Sequence, residues 1–265
     1  MKREKHSRPK ISIITVVYNG ERHLEQTIRS VIRQTYKDFE YIIIDGGSKD
    51  NTLSIIKKYA KHIDSWISEP DKGIYDAMNK GIGKAKGDFL YFLNSDDYLH
   101  DKEVLKVVAN HFREDIDCVF GDFIYVYPTH KEYRPQKKGL KRLRQGIPIL
   151  HQSLFMRKAL IKKAGCFDTK YRIAADIDLE CKTMTESNST YIPRPICVFR
   201  YGGESSQLAK MRKEVTGILM AKYGLWNAGT YVFVIRTKIR QKLELLNLIS
   251  SFRKLRKTFF GIDYR

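Results

Sequence analysis

The sequence predicts an α/β protein: a mostly parallel sheet with helices on both faces, followed by a basic helical C-terminal appendage. Three observations carry this. Apolar, β-branched runs recur through the first hundred residues. Each is followed by apolar residues at helical spacing. Each run exits into turn-forming or acidic residues, and strands alternating with helices imply βαβ units.

The elements follow in order. Ile11–Val17 is apolar enough to be buried on both faces, and Asn19-Gly20 breaks it. From Glu21 to Arg33, Leu24, Ile28, Val31 and Ile32 lie at helical spacing. Phe39–Ile44 is a second strand, closed by Asp45-Gly46-Gly47-Ser48. Asp50 or Asn51 caps a helix running to Tyr59. Ile63–Ile67 is a third strand, Tyr75–Lys86 a third helix and Phe89–Leu93 a fourth strand, ending in Asn94-Ser95-Asp96-Asp97.

The second half is less regular. A helix is expected over Lys102–Phe112, with separate strands at 118–120 and 123–126 and a long basic loop over 128–148. Helices follow near Lys158–Lys163 and Asp176–Glu186, then short strands at 191–192 and 196–201. From Gln207 the chain reads as helical and basic. These divisions give one domain over 1–205 and an appendage over 206–265.

Composition narrows the function. The 265 residues carry a net charge of +19, which calls for an acidic partner such as nucleic acid, anionic lipid or a phosphate-bearing substrate. The excess lies in the N-terminal tail, in 137–144 and after Lys210, whereas 45–101 is close to balanced. Cys118, Cys166, Cys181 and Cys197 are widely spaced, which argues against structural zinc and for small core residues in a reducing compartment. No signal-peptide core and no run of ~18 apolar residues is present. The expectation is a cytoplasmic protein, peripheral to the membrane. No Walker-type phosphate loop occurs, and Gly81, Gly83 and Gly87 lack dinucleotide-binding spacing.

Ligands of open parallel sheets bind outside the carboxyl ends of the strands. Here those ends carry Tyr18-Asn19, Asp45-Gly46-Gly47-Ser48, Asp71-Lys72-Gly73 and Asp96-Asp97. A turn built from Asp and Gly explains one such exit; four together suit a nucleoside diphosphate. Tyr18 can stack on a base, and Asp45 can accept from base or ribose. Glycines 46 and 47 admit a ligand against the backbone. Asp71 stands beside Lys72, which can meet a phosphate, and Asp96 and Asp97 can hold ribose and a hard cation, Mg2+ or Mn2+. The plainer reading of Asp96 and Asp97 is that they cap the next helix.

With Ile11–Asn19, Asp45–Thr52, Asp71–Gly81 and Asn94–Asp97 in place, the chain resembles glycosyltransferase family two over about residues 9–200. The resemblance implies a Rossmann-like GT-A fold, with a nucleotide-binding half over 9–100 and an acceptor half over 101–205. It implies a nucleotide-sugar donor, taken as UDP-linked, and inversion at the anomeric carbon. It makes Asp96-Asp97 a variant of the DxD motif, with Asp97 the direct metal ligand and Asp96 nearer the ribose. After Gly165-Cys166-Phe167-Asp168 it places the base carboxylate at Asp176, where capping of the following helix is the structural alternative. It puts His151 on the active-site floor, near donor phosphate or acceptor. Two positions depart from the pattern: Val16 and Val17 stand where relatives often carry a hydroxyl, and Ala175 where many carry Glu.

The expected reaction is hexosyl transfer to an acceptor hydroxyl, the acceptor being a glycan or lipid-linked glycan of lipopolysaccharide, capsule or exopolysaccharide. The rival readings are a nucleic-acid-binding protein, for which no binding motif is present, and a glycoside hydrolase using Asp97 and Asp176. Beyond Ile239, Leu243, Leu246, Ile249, Phe252, Leu255 and Phe259 form one apolar stripe among Lys and Arg. That pattern suits an anionic membrane surface, or a face packed on the catalytic domain or on a second subunit of a homo-oligomer.

Overall fold

The computed structural model describes residues 11–137, 149–184, 187–200, 202, 214 and 218. Most of the expected appendage, including the amphipathic stripe beyond Ile239, lies outside the described residues, as does most of the basic loop over 137–144.

Strands β1 (Ile11–Val17), β2 (Phe39–Asp45), β3 (Ser65–Ser68) and β4 (Phe89–Phe92) are parallel, in the order β3-β2-β1-β4. Helices α1 (Leu24–Ile32), α2 (Thr52–Lys58) and α3 (Ile74–Lys84) connect them. Burial follows the pleat of the strands. Ile14, Val16, Ile42, Ile44, Leu90 and Phe92 pack on one face with α3. Ile11, Ile13, Tyr41, Ile43, Phe89 and Tyr91 pack on the other with α1 and α2. Side chains alternate across a strand, so continuously apolar runs are what a sheet covered on both faces requires.

The second half extends the sheet with mixed polarity. After the short β5 (Tyr98–Leu99) and α4 (Val104–Ala109) come β6 (Cys118–Val126), β7 (Lys131–Arg134), β8 (Leu154–Arg157), α5 (Lys158–Lys163), α6 (Ala175–Thr183) and β9 (Ser189–Arg200). The order continues β4-β8-β6-β9-β5, with β7 on β6. β8 is antiparallel to β4 and β6, β6 runs parallel to β9, and β5 is antiparallel to β9. The parallel character predicted from sequence thus holds for the first four strands and for the β6–β9 pair, and the other pairings are antiparallel.

Three local expectations are corrected. The pieces at 118–120 and 123–126 form one strand, as do those at 191–192 and 196–201, whose described part ends at Arg200. The breaks are register shifts about Asp122, where Ile192 pairs with Gly121 and Pro195 with Asp122. A bulge accommodates Pro193 and Pro195, neither of which has an N–H to donate to the ladder. Gly121 permits the close approach: a Cβ there would lie 2.9 Å from the Arg194 carbonyl oxygen. The expected loop over 128–148 contains β7, whose exposed, polar residues give no apolar signal.

Candidate active site

The first cluster forms where β1, β2 and β3 end. Asp45 closes β2 and is fully buried. Its Oδ2 accepts the Ser48 N–H at 3.1 Å and the Ser68 hydroxyl at 2.6 Å, while Oδ1 accepts the Ser48 hydroxyl. The next residue, Gly46, bonds back to the Val17 carbonyl at 2.9 Å. A Cβ on Gly46 would collide with Asp71 Oδ2 and touch the Tyr18 ring at 3.5 Å. Glycine therefore lets Tyr18 and Asp71 converge over this turn. Tyr18 is 61% exposed, an open ring face at the sheet edge. Asp71 Oδ1 accepts the Gly73 N–H at 2.8 Å, and Lys72 is exposed on the rim.

The second cluster is the turn after β4. Thr27 of α1 donates its hydroxyl to the carbonyl oxygens of Ser95, at 2.8 Å, and Asp97, at 2.6 Å. This fixes the turn against α1. The two carboxylates differ sharply. Asp96 is half-buried, with no side-chain hydrogen bond among the described residues. Asp97 is 1% exposed; its Oδ1 accepts the Arg200 N–H at 2.9 Å, and its Oδ2 is buried without a partner. Burial first, then the charge of Asp96, pushes the Asp97 carboxyl well up, against the Arg200 N–H, the Arg200 charge and the Gln152 amide. Neither aspartate caps α4, whose N-cap position is Glu103.

The third cluster is built around Asp176, in the first turn of α6. Its Oδ1 accepts the Tyr75 hydroxyl at 2.9 Å, and its Oδ2 faces His151 Nδ1 at 2.9 Å. Tyr75 comes from α3, and His151 from a short 3-10 turn over His151–Ser153. Burial works to raise the Asp176 carboxyl, but His151 and Tyr75 together outweigh it and hold the group below the usual range. His151 Nε2 is buried with no hydrogen-bond partner. One turn on from Asp176, Glu180 is fully buried; burial and the charge of Asp176 push its carboxyl well up, and its Oε2 accepts the Ile149 N–H at 3.0 Å.

Asp176 does not cap its helix through its side chain; the N-cap position is Ala174, with no side-chain cap. Glu214 supplies the anion instead. Its carboxylate accepts the N–H groups of Arg172 at 3.0 Å, Ile173 at 2.8 Å and Ala174 at 3.1 Å. Ile218 is buried in the core cluster around α3 and α6. Two residues that the sequence places in the appendage thus pack on the catalytic half.

The clusters touch in sequence and in space. Gly20, after β1, lies against Ser95: a Cβ there would be 3.4 Å from its Oγ. Adjacent residues His151 and Gln152 face Asp176 and Asp97 respectively. The structure therefore joins His151 to Asp176 by a hydrogen bond, sets Asp97 in the separate turn after β4, and gathers Tyr18 and Asp71 over the turn that follows Asp45 at the sheet edge. Lys72 stands outside these groups. Sequence reasoning missed Tyr75, Gln152, Arg200 and Glu214. Tyr75 lay inside the quoted Asp71–Gly81 motif; Glu214 carried no local signal.

No group of three or more His, Cys, Asp or Glu able to hold a metal occurs among the described residues. The Asp96–Asp97 pair nonetheless fits a divalent cation. It offers hard oxygen donors, one of them buried and unpartnered, beside an edge where a diphosphate would complete the shell. No helix among the described residues is long and apolar enough to cross a membrane.

Residues 12–169 match the family model described as Glycosyl transferase family 2. A PGL/p-HBAD biosynthesis glycosyltransferase from Mycobacterium bovis (strain BCG / Pasteur 1173P2) is 35% identical over 191 residues, covering 70% of this chain and 73% of that one. Among solved structures, S. aureus TarS 1-349 in complex with UDP-GlcNAc aligns with a TM-score of 0.66 at 22% identity, over 80% of this chain and 66% of that one. The mannosyltransferase PcManGT from Pyrobaculum calidifontis, in complex with GDP-Man and Mn2+, aligns with a TM-score of 0.65 at 18% identity, over 95% and 81%. The likeness to both structures is one of fold, the GT-A fold.

Proposed function

The chain belongs to glycosyl transferase family 2, and from that premise we propose that it moves a sugar from a UDP-linked donor to an acceptor hydroxyl with inversion, Asp176 acting as the base. The observation that carries this is the Asp176 carboxylate, buried and gripped on both oxygens by Tyr75 and His151. A base must be ionised and aimed before the acceptor arrives. The two donors keep Asp176 ionised despite its burial, and they fix its plane.

Tyr18 stacks on the donor base, Asp45 and Asp71 hold base and ribose, and Lys72 meets phosphate from the rim. Asp97 ligates the cation and Asp96 lies towards the ribose. The bound divalent cation supplies Lewis acidity to the departing diphosphate. A second assignment is favoured by one observation: Asp96 is the more exposed of the pair, while Asp97 is sealed by the Arg200 N–H. In that assignment Asp96 ligates directly and Asp97 braces the turn. His151 lines the floor and steadies Asp176. The acceptor is a glycan or lipid-linked glycan of a surface polysaccharide, met at the cytoplasmic face of the membrane; the net charge of +19 and the basic amphipathic tail support that location.

The test is thermal stability with UDP, with and without Mn2+ or Mg2+, followed by donor hydrolysis across a panel of nucleotide sugars. A ligand that binds only the folded chain raises its melting temperature. A metal-dependent rise with UDP and hydrolysis of one donor are expected; no rise with any nucleotide would refute the reading.

A further inference from the structure

On the face of the sheet opposite Asp176, a cleft of about 950 Å³ runs between α1 and the segment from Tyr98 to Lys102. Arg22, Arg29 and Arg33 stand on the α1 wall, and Lys102 on the wall opposite. None of these four makes an ion pair among the described residues, and all are exposed. The two acids in the lining are engaged by cations that do not line it: Glu25 by Lys58 at 2.8 Å, and Asp101 by Arg194. The cleft therefore presents four cations with no acidic side chain left to balance them.

The spacing is ordered. Positions 22, 29 and 33 fall on one helical stripe, with Gln26 between them. At helical rise they cover roughly 16 Å along the wall, more than one phosphate occupies. Guanidinium groups are the side chains best matched to phosphate oxygens. Arg200 closes the end of the cleft nearest the reaction site. Its guanidinium bonds Gln26 Oε1 and the Asp96 carbonyl and lies over the Tyr98 ring at 5.0 Å. The cleft thus leads directly to the turn that carries the donor-site aspartates. Its charge reaches neighbouring groups too: burial, then Arg200 and Arg22, lower His23.

The geometry points to a binding cleft for an extended phosphate-bearing chain, the non-reacting part of the acceptor. This rests on the transferase reading above. A chain fits better than a bilayer surface, because cations stand on both walls of a concavity and a flat headgroup plane would reach only its rims.

The probe is inorganic tripolyphosphate, titrated into the full chain without divalent cations. The variants are Arg29→Gln/Arg33→Gln and, separately, Lys102→Gln. A control, Lys57→Gln/Lys61→Gln, removes the same charge from the exposed surface of α2 and the turn after it. The double cleft variant should lose tenfold or more in affinity, Lys102→Gln should lose several-fold, and the control should bind as the parent does. UDP should not displace the probe, and the melting shift with UDP and Mn2+ should be unchanged in every variant. No binding of tripolyphosphate, equal losses in cleft and control variants, or displacement by UDP would each overturn the proposal. So would a result in which the cleft arginines govern binding to phosphatidylglycerol vesicles but not to tripolyphosphate, which would make lipid headgroups the occupant. Failure of the transferase reading shows separately, as absence of the UDP and Mn2+ shift in the parent protein.

Discussion

Replacing Tyr75 by Phe removes one oxygen from the site and little else. The ring stays stacked on Phe167, 5.5 Å away between centroids, so α3 keeps its packing. What is lost is the 2.9 Å hydrogen bond to Asp176 Oδ1; His151 still holds Oδ2. A hydrogen bond to a charged group contributes about 1.5–3 kcal/mol, and about 1.36 kcal/mol corresponds to tenfold in rate. If the hydroxyl aims the carboxylate, kcat should fall by about tenfold, with about a hundredfold as the ceiling. The pH profile carries an independent sign. Tyr75 and His151 both lower the Asp176 carboxyl, His151 the more strongly. A base works ionised, so activity is lost as pH falls through its value in the folded enzyme. Tyr75→Phe should move that acid limb to higher pH, and His151→Gln should move it further. The same linkage gives Asp176 a stabilising contribution present above its unfolded value and lost as pH falls below it. The assay is initial rate against pH with the donor found by panel screening, alongside nucleotide affinity, which should not change. An unmoved acid limb in both variants would refute Asp176 as the titrating base.

Four further outcomes are expected. Asp176→Asn should keep nucleotide and metal affinity but lose transfer by about 10²–10⁴-fold, measured by single-turnover kinetics. Asp97→Asn should abolish metal-dependent turnover if Asp97 is the ligand; if Asp96→Asn does so instead, with Asp97→Asn chiefly lowering the melting temperature, the assignments exchange. Asp45→Ala should weaken binding of the free nucleotide by about 1.5–3 kcal/mol in calorimetry, and should also loosen the turn held through Ser48 and Ser68. Glu214→Ala should destabilise by about 1.5–3 kcal/mol, the range for hydrogen bonds to a charged group, and lower kcat more than nucleotide affinity, since the turn it holds leads into the helix that carries Asp176.

The first half of the fold was legible because β1, β2 and β4 are buried on both faces, whereas the half-exposed β3 begins at Ser65, two residues later than the sequence placed it. Ile11–Val17 has no exposed face to hold polar residues, so the run is uninterrupted and its start and end are sharp. The four strand exits were legible for the same reason: polar residues in an otherwise apolar frame stand out. The second half obscured itself at Pro193 and Pro195, which read as strand breaks and prove to be a bulge within β9. β7 was hidden because its residues, Lys131, Glu132, Tyr133 and Arg134, are polar and none is buried.

The site was legible as a set of residue types, and not as a set of roles. The resemblance put Asp97 on the metal and Asp96 nearer the ribose, but folding seals Asp97 behind the Arg200 N–H and leaves Asp96 half-open. That difference depends on a residue 103 positions away. Asp176 shows the same dependence. Its neighbours in sequence suggested a base, with capping of the helix as the alternative. The meeting of Tyr75, 101 positions earlier, and His151, 25 positions earlier, gives both its oxygens partners outside its own helix. Glu214 holds the turn that leads into that helix, through the N–H groups of Ile173 and Ala174. A carboxylate released from capping can be spent on proton transfer, and the long-range contact is what separates the two uses.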